Sequence, residues 1–244
     1  MTQPQPYSIF SLGDAALTID LGSAITEASN RKVLAMYDWL QQHAFDGLND
    51  IVPAYSSLTV VYDPVAVRRS YHPEATVSAW VKERLEQAYG QSGDGQPENG
   101  TVIHIPVCYD PSTGMDLAAI AKQKKKTLEE IIQLHTSVHY RVYMIGFLPG
   151  FPYLAEVDPR LATPRKARPV PVPPGSVGIA GPQTGIYTFA SPGGWNIIGR
   201  TPLKLFDPGS PGVVKLKAGD TVRFYSITLD EFNEREQVGS VVMW

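Results

Sequence analysis

Apolar and polar residues alternate through YSIFSLGDAALTIDL (7–21) on both sides of Gly13-Asp14, which predicts two short strands joined by a tight turn. From about Ser29 to His43 the period lengthens. Val33, Leu34, Met36, Tyr37 and Leu40 recur at helical spacing behind Ser29 or Asn30 as cap, and Asp46-Gly47 ends the helix. Residues 51–62 return to strand, broken by Pro53. A second helix is expected from near Pro73 to Tyr89, with Val77, Trp80, Val81 and Leu85 on one face. Strands, helix, strand and helix in this order predict a small α+β sandwich of ferredoxin-like kind.

The pattern then stops. GQSGDGQPENG (90–100) has no apolar residue and reads as a linker. The boundaries expected are an N-terminal domain over 1–89, a linker over 90–101 and a second domain over 102–244. That domain opens with the strand TVIHIPVCY and continues with short helices near Met115–Lys122 and Leu128–Ser137. Thr127 and Glu130 form a capping-box pattern for the latter. The run KQKKK (122–126) reads as a solvated helix end. After Tyr140 come short runs separated by Gly and Pro: RVYMIGF, SVGIAG, GIYTFA, WNIIGR, TVRFYSI and GSVVMW. They predict a β-barrel or sandwich.

Composition narrows the function classes. A net charge of -3 argues against nonspecific nucleic-acid binding. The single cysteine, Cys108, excludes an internal disulfide framework and fits a reducing compartment. MTQPQPYSIF has no basic n-region, and no apolar run approaches a membrane span, so the expected location is the cytoplasm. The stretch from His135, carried on to Gly219, holds 13 of the 21 prolines and 12 of the 21 glycines. Within it, Pro159 to Phe206 contains no Asp or Glu but does contain Arg160, Arg165, Lys166, Arg168, Arg200 and Lys204. A local cationic surplus in a slightly acidic chain points to a bound anion or an acidic partner.

Candidate chemistry is concentrated there. No Walker-type motif is present, and G175-S-V-G-I-A-G181 lacks dinucleotide-fingerprint spacing. His135 and His139 are four residues apart with no third ligand evident, so no metal site is predicted. His135 stands near a helix C-terminus, either as a structural cation or as a catalytic general base. Phe147, Pro149 and Phe151 of GFLPGF are a core plug on a turn, the wall of an apolar pocket or a surface that presses on a partner. Arg165, Arg168 and Arg200 are candidates to grip a carboxylate or phosphate through the guanidinium fork. Gln183 and Thr184 supply neutral donors, and the turn around Gly193 and Gly194 offers successive backbone N–H groups to an anion. Tyr187 and Trp195 are expected as pocket walls. These residues describe a pocket for a small anion without a full catalytic apparatus, because no base or nucleophile pair accompanies them.

GDAALTIDLG, VPAYSSLTVVYDP, IPVCY, GFLPGFPYL, GSVGIAGPQTGIY and SPGGWNIIGRTP together resemble the KipI / allophanate hydrolase subunit 1 family over nearly the whole chain. The resemblance implies an α+β N-terminal domain followed by a cyclophilin-like β-barrel. It also implies a role as one part of a multi-subunit, ATP-dependent 5-oxoprolinase, inactive alone, which converts 5-oxo-L-proline to L-glutamate. The implied partners are a KipA-like protein, the C component, and a LamB/YcsF-like protein, the A component, with ATP bound by, or shared with, a partner. The substrate's carboxylate would suit Arg165, Arg168 or Arg200. A relative that inhibits a sporulation histidine kinase supplies the alternative. Peptidyl-prolyl isomerase activity would follow from the barrel alone, and urea carboxylase activity lacks a biotin-carrier segment. DPSTGMDL after the IPVCY strand, and Thr188 where a proline commonly follows GIY, depart from the family pattern.

Overall fold

The computed structural model describes residues 6–93, 102–209 and 214–237. The chain divides into two compact units, 1–99 and 100–244. Most of the expected linker, 94–101, and the expected strand GSVVMW lie outside the described residues.

The first unit runs β1 (Ser8–Ser11), β2 (Ala16–Asp20), α1 (Glu27–Gln42), β3 (Leu48–Pro53), β4 (Ser57–Tyr62), α2 (Pro64–Tyr71) and α3 (Val77–Gln91). Its sheet is antiparallel in the order β1-β2-β4-β3. The alternation read from the sequence puts Leu17, Ile19, Leu58, Val60 and Tyr62 into one core with Val33, Met36 and Leu40 of α1 and Val81 and Leu85 of α3. In a split β-α-β plan the strand beside β2 would follow the last helix. Here β1 fills that edge, because the Gly13-Asp14 hairpin folds it back first.

Helix ends explain the remaining differences. α1 starts at Thr26, whose Oγ1 accepts from the Ser29 N–H at 3.1 Å, not at Ser29 or Asn30. Asn30 is instead buried and donates to the carbonyls of Ala54 and Tyr55. The helix expected from near Pro73 to Tyr89 is α3, which starts behind the Thr76 cap, and a further helix that the pattern did not predict, α2, precedes it. Asp63 caps α2 by accepting from Val65 and Ala66, with Pro64 in the first turn, and His72 ends it in the left-handed region at φ 45°. The Asp63-Pro64 signal stands in the sequence, but the helix is short and its apolar face is narrow.

The second unit runs β5 (Val102–Cys108), α4 (Leu117–Lys124), α5 (Leu128–Thr136), β6 (His139–Ile145), β7 (Pro152–Ala155), β8 (Val170–Val172), β9 (Ser176–Ala180), β10 (Gln183–Ile186), β11 (Ser191–Gly193), β12 (Asn196–Arg200), β13 (Thr221–Ile227) and α6 (Leu229–Gln237). Seven strands close into a barrel in the order β10-β7-β6-β13-β5-β12-β9, and β8 and β11 form a separate two-stranded ribbon. Only β5 and β13 pair in parallel among the barrel neighbours described. Ile105, Val107, Tyr140, Val142, Leu154, Val177, Ile179, Ile198, Val222 and Phe224 fill the interior. Each such side chain contributes roughly 1.5–3 kcal/mol by leaving water, so the barrel is a packed scaffold and not a pore. The capping box at Thr127 and Glu130 is present and starts α5. No helix among the described residues is long and apolar enough to cross a membrane.

Candidate functional site

The segment between β7 and β8 crosses the outside of the barrel as a strap. Asn196 Nδ2 donates to the Pro164 carbonyl at 2.8 Å, and the Lys166 N–H donates to the Gly194 carbonyl at 2.8 Å. Lys166 Nζ also lies 2.6 Å from Asp116 Oδ2, which accepts from the Ile197 N–H at 2.7 Å. Arg165 sits between these attachments. Its guanidinium lies against Gly194: Nη2 and Nε are 3.5 and 3.6 Å from the place a Cβ there would take, ordinary contact distances.

Beside Arg165 is a box of aromatic rings. Phe151 meets Tyr187 edge to face at 5.2 Å and Trp195 at 5.3 Å, while Tyr153 meets Trp195 at 5.8 Å. Gly193 on β11 lets the ring in: a Cβ there would fall 2.7 Å from Tyr187 Cζ. The half-open cavity beside these rings is about 490 Å³ and is lined by Phe147, Tyr153, Arg165, Gln183, Tyr187, Gly194 and Trp195, together with four prolines, Ala180 and Gly181. Burial pushes both phenols above their ordinary range. For Tyr187 the Trp195 N–H and the Arg165 charge oppose this, and for Tyr153 the Arg165 charge does. Both therefore remain neutral hydrogen-bonding groups at ordinary pH. The site is an apolar slot with one cation, Arg165, at its rim and one amide, Gln183, on its wall. That suits a small, flat or ring-shaped carboxylate.

Of the residues singled out from sequence, the structure brings together Arg165, Gln183, Tyr187, Gly194, Trp195 and Phe147. Gly193 shapes the cavity without lining it, and Phe151 is its buried backing. Pro149 lies exposed on the neighbouring turn, where its carbonyl accepts from Thr188 Oγ1 at 2.7 Å. The Thr188 hydroxyl thus ties two loops. Phe147 is 61% exposed and holds φ at 66°, an uncommon value for a bulky residue.

Arg168 lies exposed on the strap and does not line the cavity. Arg200 is elsewhere: it pairs with Glu236 at 2.7 Å, donates from Nε to the Pro174 carbonyl at 2.8 Å and covers the Phe232 ring of α6. The acid-free stretch predicts unpaired cations, yet carboxylates outside it reach three of them, Asp158 to Arg160, Asp116 to Lys166 and Glu236 to Arg200. The expected N–H concavity at the Ser-Pro-Gly-Gly turn is also altered, because Ser191–Gly193 is the strand β11.

His135 and Thr184 belong to the barrel core. Thr184 Oγ1 donates to the Gly178 carbonyl at 3.0 Å, so it accepts from His135 Nε2, also at 3.0 Å. His135 Nδ1 is then the acceptor for the Tyr109 hydroxyl at 2.7 Å. The imidazole is fully buried, stacked on Phe224 at 4.6 Å, and desolvation pushes its pKa from 6.5 down to about 3. A neutral ring with both nitrogens satisfied and no exposed atom is placed to hold the core, not to meet substrate as a general base. His139 lies exposed at the start of β6, so the two histidines do not converge. Sequence reasoning missed Tyr153, two residues beyond Phe151 in the same motif. It also missed Asp116 and Asn196, for which no local signal exists.

Residues 7–214 match the model of the family described as carboxyltransferase domain, subdomain C and D. The chain is 41% identical over 230 residues to the B subunit of 5-oxoprolinase from Bacillus subtilis (strain 168), covering 93% of this chain and 95% of that protein. Among solved structures, the protein TTHA0988 superposes with a TM-score of 0.74 at 38% identity, covering 87% of this chain but 39% of its own. The Kluyveromyces lactis urea carboxylase superposes with a TM-score of 0.75 at 16% identity, over 96% of this chain and 23% of the larger one, a likeness of fold alone.

Proposed function

The chain belongs to the family of carboxyltransferase domains, subdomain C and D, and on that premise we propose that it is one member of a multi-subunit 5-oxoprolinase. The end-to-end likeness to the B subunit of such an enzyme carries the reading. The cavity supports it. 5-Oxo-L-proline is a five-membered lactam with one carboxylate, so Arg165 takes the carboxylate while the ring lies against Trp195 and Tyr187.

Opening the lactam breaks its C–N amide bond. Water supplies a hydroxyl to the carbonyl carbon and a proton to the nitrogen, giving L-glutamate. The unstrained amide calls for coupling to ATP hydrolysis. No carboxylate, thiol or amine lines the cavity to act as base or nucleophile, so this chain binds and orients, and the bond-breaking groups come from elsewhere. The barrel residues do not fit a triphosphate: one guanidinium lines the cavity, and no His/Cys/Asp/Glu cluster for a metal ion occurs among the described residues. We assign the nucleotide chemistry to a KipA-like partner and a LamB/YcsF-like partner, with exposed Phe147 and Pro149 beside the cavity mouth as the facing surface. TTHA0988, much longer than this chain, is the length expected if two such proteins were joined. In this reading the barrel is of cyclophilin type, the first unit is a permuted ferredoxin-like sandwich, the domains span 1–89 and 102–244, and the complex works in the cytoplasm.

Mixing the purified subunits and measuring ATP hydrolysis that depends on 5-oxoproline tests this. Turnover is expected only when this chain is present. Unchanged turnover without it would overturn the assignment.

A further inference from the structure

We propose that the first unit carries an anion site of its own, for the phosphate group of a small molecule that also bears a hydrogen-bond donor. A cavity of about 680 Å³ lies between the end of α2, the start of α3 and the β1–β2 turn. Arg68, Arg69 and His72 line it from α2 and its cap, Thr76 and Ser78 from the start of α3, and Asp14 from the turn.

The cations are the first argument. Some arginines of this chain pair with carboxylates, as in Arg31 with Glu27, Arg160 with Asp158 and Arg200 with Glu236. Arg165 and Arg168 do not among the described residues, so what marks Arg68 and Arg69 is that both line one cavity. Neither Arg68 nor Arg69 has an ion-pair partner among the described residues, although Asp14 lines the same cavity. Two guanidinium groups lining one cavity give it a positive potential, which a multiply charged anion would neutralise. Placement at the carbonyl end of α2 accounts for some favourable energy but not for a shared cavity.

Two further features fit a ligand. His72 stops α2 with φ at 45°, where glycine would be unstrained, and so keeps an imidazole at the rim. Val65, 65% exposed, lines the same cavity and offers an apolar wall to the body of a bound molecule. Asp14 sets the remaining requirement. Its carboxylate disfavours a bare anion on that side and favours a ligand that presents a hydroxyl or amino hydrogen. None of these residues belongs to the barrel cavity, so the site stands independently of the 5-oxoprolinase reading.

The test is an NMR titration of the full chain at constant ionic strength, first with inorganic phosphate and then with ADP, which carries both phosphate and donor groups. Saturable shifts are expected at the amides of Arg68, Arg69, His72, Thr76 and Ser78, with ADP binding more tightly than phosphate. Arg68→Gln/Arg69→Gln, at exposed positions, should fold as the parent does and bind both probes about tenfold or more weakly. Asp14→Asn should narrow the gap between ADP and phosphate. Absence of saturation, or equal affinity in the double variant, would overturn the proposal.

Discussion

Lys166 Nζ and Asp116 Oδ2 lie 2.6 Å apart, and this contact ties the strap bearing Arg165 to the residue that immediately precedes α4. Both side chains are about four-fifths buried, so the pair is shielded from the screening that makes surface bridges weak. Asp116→Asn keeps an acceptor for the Ile197 N–H but removes the charge. We expect roughly 1.5–3 kcal/mol lower stability and a raised KM for 5-oxoproline in the assembled enzyme, with kcat little changed. If KM stays at the parent value while stability falls, the pair is structural only.

Arg165 presents a fork to the cavity, and a lysine would present a point charge. Arg165→Lys should therefore weaken substrate binding, and Arg165→Gln should weaken it further, by about tenfold to a hundredfold on the usual strength of charged hydrogen bonds. Thermal unfolding should barely move, since the side chain is exposed. Arg200→Ala should show the reverse, a loss of stability through α6 with KM unchanged, because Arg200 holds Glu236 and Phe232.

Tyr187 keeps its place because Gly193 lacks a side chain. Gly193→Ala puts a methyl into the phenol ring, and the expected result is about 1–3 kcal/mol of destabilisation together with loss of ligand binding. Denaturant midpoints and equilibrium binding of 5-oxoproline measure the two effects separately. Parent-like values for both would show that the ring has another place to go.

His135 makes stability depend on pH. Its folded pKa of about 3 lies below the ordinary 6.5, so between those values the unfolded chain binds the extra proton. The contribution is fully present above pH 6.5 and is lost as pH falls toward 3, at roughly 1.4 kcal/mol per pH unit. His135→Gln should start from lower stability and lose less of it from pH 6 to pH 4, as read from urea unfolding. An equal slope in the two proteins would show that other groups set the acid limb.

Local chemistry made much of the chain legible before any coordinates. The Gly13-Asp14 hairpin, the stripe Val33-Met36-Leu40, the capping box at Thr127 and the short Gly- and Pro-bounded strands each depend on neighbours a few residues away. The wall-forming role of Tyr187 and Trp195 and the guanidinium of Arg165 could be named for the same reason: residue type and turn chemistry restrict what they do. What α2 shows is that a capping signal without a wide apolar stripe is easily passed over.

Ion pairing and burial could not be read this way. Arg165, Arg168 and Arg200 are alike in sequence, yet one lines a cavity, one faces water and one is held by Glu236. His135 looks like an accessible helix-end cation until barrel closure surrounds it with Phe224, Tyr109 and Thr184. Sequence by itself determined the elements and the residue types available for binding. Tertiary structure decided which of them meet, because charge pairing and desolvation act through space between groups that the chain brings together only when the barrel closes.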